Sequence, residues 1–125
     1  MAMLMFSKCL SKTDIGKRLS FPTKALKCLP GYQEGQHMVE FQVRDEEDRV
    51  WTFYCSTRRK QKHPKPVLSK GWRKFVCLRN LKIGDKVEFY KEEEKAGGVG
   101  YHVRVKRPVI VFGAMMGHAP ISCTA

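Results

Sequence analysis

Between Ser56 and Lys82 there is not one carboxylate, although the 125-residue chain holds twelve Asp and Glu. The same stretch holds ten Lys and Arg, eight of them before Phe75. Cations packed this closely repel one another unless something negative sits beside them. Other absences narrow the choices further. No CxxC or CxxH pair occurs, which argues against a zinc site. The five cysteines (Cys9, Cys28, Cys55, Cys77, Cys123) are odd in number, and unpaired thiols suit a reducing compartment. Cys9, Cys28, Cys55 and Cys77 sit among apolar neighbours and are expected to be small buried thiols. The longest apolar run, residues 109–117, is too short to span a bilayer, so no membrane partner is expected. The opening MAMLMF has no basic leader, and no signal peptide is expected.

What is present fits one globular domain with its own core, since 42% of the residues are hydrophobic. The net charge is +12, which points to a polyanionic partner such as DNA, RNA or an acidic membrane surface. That charge is unevenly placed. Residues 7–31 carry a net +5 and residues 56–82 a net +10, while the remainder is net −3. Two segments therefore supply the excess, as a binding footprint would.

Periodicity gives the frame. Residues 5–10 (MFSKCL) read as a first strand, followed by a loop, SKTDIGKR, with Ser, Asp and Gly in turn positions. LSFP is extended because Pro22 restricts Phe21. TKALKCL reads as a short helix with Thr23 as N-cap, stopped by Pro30-Gly31. In HMVEFQVRD, Val39, Phe41 and Val43 alternate with polar positions, and in VWTFYCS the residues Trp51, Phe53 and Cys55 share a side. These two form a hairpin across an acidic turn. A second short helix is expected around Trp72, then a turn over residues 81–84. Strands KVEFY and GYHVRVK follow, joined by EEEKAGG, with residues 108–112 extending the last. Residues 114–125 show no period and read as a loose tail, or else as a docking segment through Met115 and Met116. With no βαβ rhythm and no repeat, the fold is expected to be mainly β, antiparallel and barrel-like.

Catalysis finds little support. His37, His63, His102 and His118 sit in no catalytic motif, and no GxSxG occurs. The acids of residues 45–48 and 92–94 are expected to be solvated turn charges. Asp85, Glu88 and Lys91 have a spacing loosely suggestive of a nuclease, but on one strand the two carboxylates would face opposite sides. No enzyme activity, cofactor or metal is expected. Trp72 and Phe75 share one helical face and are read as core, with Arg73 and Lys74 turned away from it.

The order of these segments resembles the plant-specific B3 DNA-binding domain. The likeness lies in FSKCLSKTDIGKRLSFP, ALKCLP, VWTFYCS, KPVLSKGWRKFV and NLKIGDKVEFYK, and covers about residues 6–106. The L-x-K-G-W-x-x-F-V and L-x-x-G-D-x-V-x-F elements are specific in combination. The resemblance implies a seven-stranded open antiparallel pseudobarrel with two short α-helices. A domain over residues 5–107 is expected, with residues 108–125 as an extension of the last strand and a flexible tail.

It also implies that two loops embrace the major groove of double-stranded DNA, here residues 11–18 and 56–66. These are the regions that the charge distribution picks out. The candidate contacts are Ser11, Lys12, Thr13, Lys17 and Arg18 in the first arm, Thr57, Arg58, Arg59, Lys60, Gln61, Lys62, His63 and Lys65 in the second, and Lys70 beyond it. Arg58 and Arg59 are suited to guanine and Gln61 to adenine, whereas Lys12, Lys17, Lys60, Lys62, Lys65 and Lys70 suit phosphates. The second arm departs from many family members by being longer, more basic and proline-bearing, so base-reading residues do not transfer one by one. A monomeric nuclear transcription factor, or its DNA-binding domain, is expected, with other transcriptional proteins as further partners. One alternative is a protein-interaction module with only non-specific nucleic-acid affinity. Another is an RNA or single-strand binder, disfavoured because the basic arms hold no aromatic residue on which bases would stack.

Overall fold

The structure, a computed structural model, describes residues 2–26, 28–29, 38–57, 66–93 and 99–120. Strand β1 (Ala2–Cys9) leads into helix α1 (Lys12–Gly16), the two-residue strand β2 (Leu19–Ser20) and helix α2 (Thr23–Leu26). Strands β3 (Met38–Arg44) and β4 (Val50–Ser56) form the expected hairpin, and β5 (Val67–Leu68) precedes helix α3 (Trp72–Leu78). Strands β6 (Lys86–Glu93), β7 (Val99–Val111) and β8 (Ala114–Pro120) complete the chain order.

The strands join in the order β1-β6-β7-β3-β4-β5-β2, with β8 attached to β7 off that path. This is a mainly β, open pseudobarrel of seven strands with β8 added. Pairing is antiparallel except between β3 and β7, which meet in parallel through Arg44 and His102. Alternation along β3 and β4 buries Val39, Phe41, Val43, Trp51, Phe53 and Cys55, as the period of two requires. Inside the curl, Phe53 lies edge-on to Phe41, Trp72, Phe75 and Phe89 at centroid distances of 5.6–6.1 Å. Such edge-to-face pairs contribute beyond the area they bury.

Helix α3 sits close over β4 because Gly71 precedes it. Gly71 has φ +86°, and a Cβ there would collide with the Thr52 carbonyl. The glycine of the G-W pair therefore sets how deeply Trp72 enters the core.

Several expectations are corrected. Residues 12–16 are helical where a loop was expected: Ser11 caps the helix and Asp14 reaches back to Ser11 N–H, a reciprocal capping box. Thr23, expected as the N-cap, is instead the first helical residue of α2. The stop at Pro30-Gly31 and the turn over residues 94–98 lie outside the described residues. Cys55 is buried, but Cys9 and Cys77 are exposed and Cys28 is half-buried. Residues 114–120, read as part of a loose tail, form β8 against the end of β7.

The turn at residues 45–48 is the largest departure. Asp45 is buried and accepts hydrogen bonds from Glu47 N, Arg49 N and the Trp51 indole. Arg79, counted from sequence in the basic stretch, is buried and paired with both Asp45 (3.3 Å) and Glu46 (3.1 Å). Glu46 also accepts from Val105 N of β7. These groups tie the β3–β4 turn to α3 and β7, and Arg79 is removed from the footprint.

Candidate nucleic-acid interface

The first arm begins where β1 ends. Leu10 N donates to the Asp85 carbonyl at 2.7 Å, and Gly84 N donates to the Leu10 carbonyl at 2.9 Å. Asp85 is itself fixed: its carboxylate accepts from Lys82 N and takes two bonds from Arg107, each 3.1 Å. The glycine and aspartate of the L-x-x-G-D element thus clamp the start of the arm.

Its middle is held by Asp14, which is 1% exposed. The carboxylate accepts from Ser11 N (2.8 Å), Ser11 Oγ (2.9 Å) and Lys8 Nζ (2.9 Å). Burial alone would raise its pKa, but the Ser11 N–H, Lys8 and Ser11 hydroxyl together hold it below the ordinary carboxylate value. The Asp14 carbonyl accepts the Trp72 indole N–H at 2.8 Å. The tryptophan read from sequence as core therefore also reaches across the fold to the first arm.

The end of the arm enters β2, where Leu19 pairs with Leu68 and Ser20 with Val67. Val67 also pairs with Ser56 of β4, so the positions that flank residues 57–66 lie side by side in the sheet. Phe21 N donates to the Pro66 carbonyl at 2.8 Å. The two basic segments thus spring from one small patch of sheet.

On this frame Ser11, Lys12, Thr13, Lys17 and Arg18 are all exposed around α1. Lys70 is exposed, with its ammonium 5.0 Å from the Tyr54 ring centroid. Thr57 is half-buried just past the end of β4. Arg58, Arg59, Lys60, Gln61, Lys62, His63 and Lys65 lie outside the described residues. Local sequence reading missed the clamps: Lys8, Asp14, Gly84 and Asp85. The S-x-x-D spacing marks Asp14, and the L-x-x-G-D element marks Gly84 and Asp85 only as part of the family resemblance.

Because the Asp14 pKa is lowered in the folded state, its contribution is present above the unfolded carboxylate value and lost as pH falls through the folded one. Thermal unfolding followed from pH 6 down to strongly acid conditions should show the native chain losing stability below about pH 4. Asp14→Asn should start less stable at neutral pH and fall less steeply. A parallel acid profile would remove Asp14 from this role.

Of groups able to do covalent chemistry, the buried Cys55 thiol is pushed up to about 12 by desolvation and stays protonated at neutral pH. Asp85 and Glu88 are committed separately, to Arg107 and Lys106. Among the described residues no group of three or more His, Cys, Asp or Glu is placed to hold a metal.

Compared with known sequences, residues 6–107 match the family model of the B3 DNA binding domain. The chain belongs to the B3 DNA-binding domain family. The match is to a binding domain, and the clamps just described fall within it. The chain is 31% identical over 90 residues to the B3 domain-containing transcription factor NGA4 of Arabidopsis thaliana, covering 70% of this chain and 26% of that protein. It is 36% identical over 99 residues to an AP2/ERF and B3 domain-containing transcription factor of the same plant, covering 69% and 27%. This B3 chain thus spans about a quarter of the length of these curated relatives. Its fold is similar to that in a complex of the Arabidopsis thaliana transcription factor LEC2 with DNA, with a TM-score of 0.67. Identity there is 23%, over 84% of this chain and 94% of that one.

Proposed function

We propose that this B3 domain reads double-stranded DNA by sequence in the major groove, acting in the nucleus as a plant transcription factor or as its DNA-binding domain, with residues 5–107 as the reading unit. The observation that carries the reading is the first arm itself. Lys12 on α1 and Lys17 and Arg18 just past its end are exposed on an arm clamped at its start, middle and end, beside the point where a second, more basic segment leaves the sheet. Cations held on a rigid frame can match phosphate spacing, and side chains between them can then reach base edges. The DNA complex of the similar LEC2 fold supports the same reading.

In this scheme Lys12, Lys17, Lys60, Lys62, Lys65 and Lys70 grip phosphates, and Arg58, Arg59 and Gln61 read bases. Ser11, Thr13, Arg18, Thr57 and His63 line the same approach. Arg59→Ala should cost about 1–3 kcal/mol on the preferred duplex and much less on a scrambled one. Lys62→Ala should weaken both duplexes alike and reduce the salt slope by about one unit. Fluorescence anisotropy against a duplex selected from a random pool, run over a salt series, checks all of this. Contacts to about five to eight phosphates give a log–log slope of about −5 to −7. Preference for the selected duplex should be on the order of 100-fold or more. A steep slope without preference would sink sequence-specific reading and leave the non-specific module.

A further inference from the structure

Residues 108–125 contain no Lys, Arg, Asp or Glu, in a chain of which 29% is charged. Beyond Arg107, whose guanidinium is held by Asp85, β7 and β8 continue as a hairpin in which Val109, Ile110, Val111, Phe112, Met115 and Met116 are all exposed. Ile110 and Met115 are direct cross-strand partners, 66% and 63% exposed, so one face carries a continuous apolar pair. At the tip, Phe112 is fully exposed and has φ +51°, a left-handed backbone that a bulky residue adopts only at a cost. The root is fixed: Lys106 pairs with Pro120, and His118 Nε2 lies 3.3 Å from the Gly84 carbonyl and 3.9 Å from Cys9 Sγ. Among the described residues β8 pairs with β7 alone, and it carries no charged side chain of the kind that normally protects a strand edge.

We propose that this hairpin is a self-association element, in which two copies of the chain pack their Ile110–Met115 faces and β8 edges about a twofold axis. Charge selects the occupant. Two copies each carrying +12 repel wherever their basic arms approach, and the uncharged hairpin is where they can meet without that repulsion. Toward a duplex the hairpin offers no cation for phosphates, and toward a charged protein it offers no counter-charge. A second copy brings the same apolar, uncharged strand edge. Antiparallel pairing of identical edges gives the self-complementary contact that a twofold axis requires. An element of this size sits at the low end of specific interfaces, about 1,200 Å² in total, so association should be weak and concentration-dependent. The monomeric domain expected from sequence is then the reading unit, and the hairpin joins two of them.

Sedimentation equilibrium of the DNA-free protein, from low to several hundred micromolar, tests this independently of any DNA reading. The mass should rise from 14.4 kDa toward twice that value. The double variant I110K/M115K, altered only at exposed positions, should stay at the monomer mass. Val50→Lys, at an exposed position on β4, should associate like the native chain. Phe112→Asn, which suits the left-handed turn, is a second variant expected to weaken association several-fold. The proposal is overturned by a native chain that stays monomeric throughout, or by association that I110K/M115K leaves intact. Loss of DNA affinity in I110K/M115K with no native dimer to disrupt would likewise overturn it and assign the hairpin to the duplex.

Discussion

Trp72→Ala is expected to lower stability by about 3–5 kcal/mol and to weaken duplex binding even where the protein stays folded. The side chain is fully buried, with ring centroids 6.0 Å from Phe53 and 5.6 Å from Phe75. Removing it opens a cavity that Gly71, held tight against Thr52, cannot close by letting α3 sink further. Domains of this size have only about 5–15 kcal/mol in total, so urea unfolding should show a large shift in midpoint. Trp72→Phe separates packing from anchoring. It keeps most of the ring but loses the hydrogen bond to the Asp14 carbonyl, at about 1–3 kcal/mol for the orphaned group. Anisotropy with Trp72→Phe should then show weaker binding to selected and scrambled duplexes, because the first arm is loosened as a whole. Unchanged affinity in that variant would show that the arm holds its place without the indole.

Arg79→Met should cost about 3–5 kcal/mol at neutral pH, the range for removing one partner of a buried ion pair. Met fills much of the space, so the loss comes chiefly from leaving the carboxylates of Asp45 and Glu46 without their guanidinium. Burial pushes the Asp45 pKa up. The Trp51 indole, the Glu47 and Arg49 amides and the Arg79 charge more than offset that, so the net shift is downward. Its stabilisation is therefore present above the unfolded carboxylate pKa and lost on acidification. Without Arg79 the Asp45 pKa should rise. The native and variant unfolding midpoints should be far apart at pH 7 and draw together in acid. A constant gap from pH 7 to pH 3 would mean that the guanidinium acts by packing on Phe75, whose ring centroid it approaches to 5.6 Å.

The alternating faces of β3 and β4 were legible because each strand buries one side, and burial imposes the period of two on the sequence. Ala114–Pro120 is also a strand, but much of it is exposed, so nothing forces alternation and no period is written there. Apolar sequence neighbours misled for Cys9 and Cys77, because adjacent residues on a strand or helix point in different directions. Arg79 and Asp45 are 34 positions apart, and no local pattern links them. In the first arm, Gly16 and the polar residues suggested a loop, yet Ser11 and Asp14 together wrote the start of a helix. The charge distribution singled out residues 11–18 as a candidate arm. What holds it in place is scattered over Lys8, Trp72, Gly84 and Asp85, and only the fold assembles them.

The pairing of β1 with β6 brings Ala2 opposite Glu92 and Cys9 opposite Lys86. The strand that leads into the first arm is thus completed by a segment roughly two-thirds of the chain away. Such distant pairings slow folding, since chain entropy is lost before the contact is gained. Residues 11–18 acquire their capping box from local sequence, but their clamps at Gly84 and Asp85 come only with that late closure. During synthesis β1 waits unpaired, with Met5 and Phe6 uncovered, until β6 has left the ribosome. Where the first arm begins is therefore among the last things this chain decides.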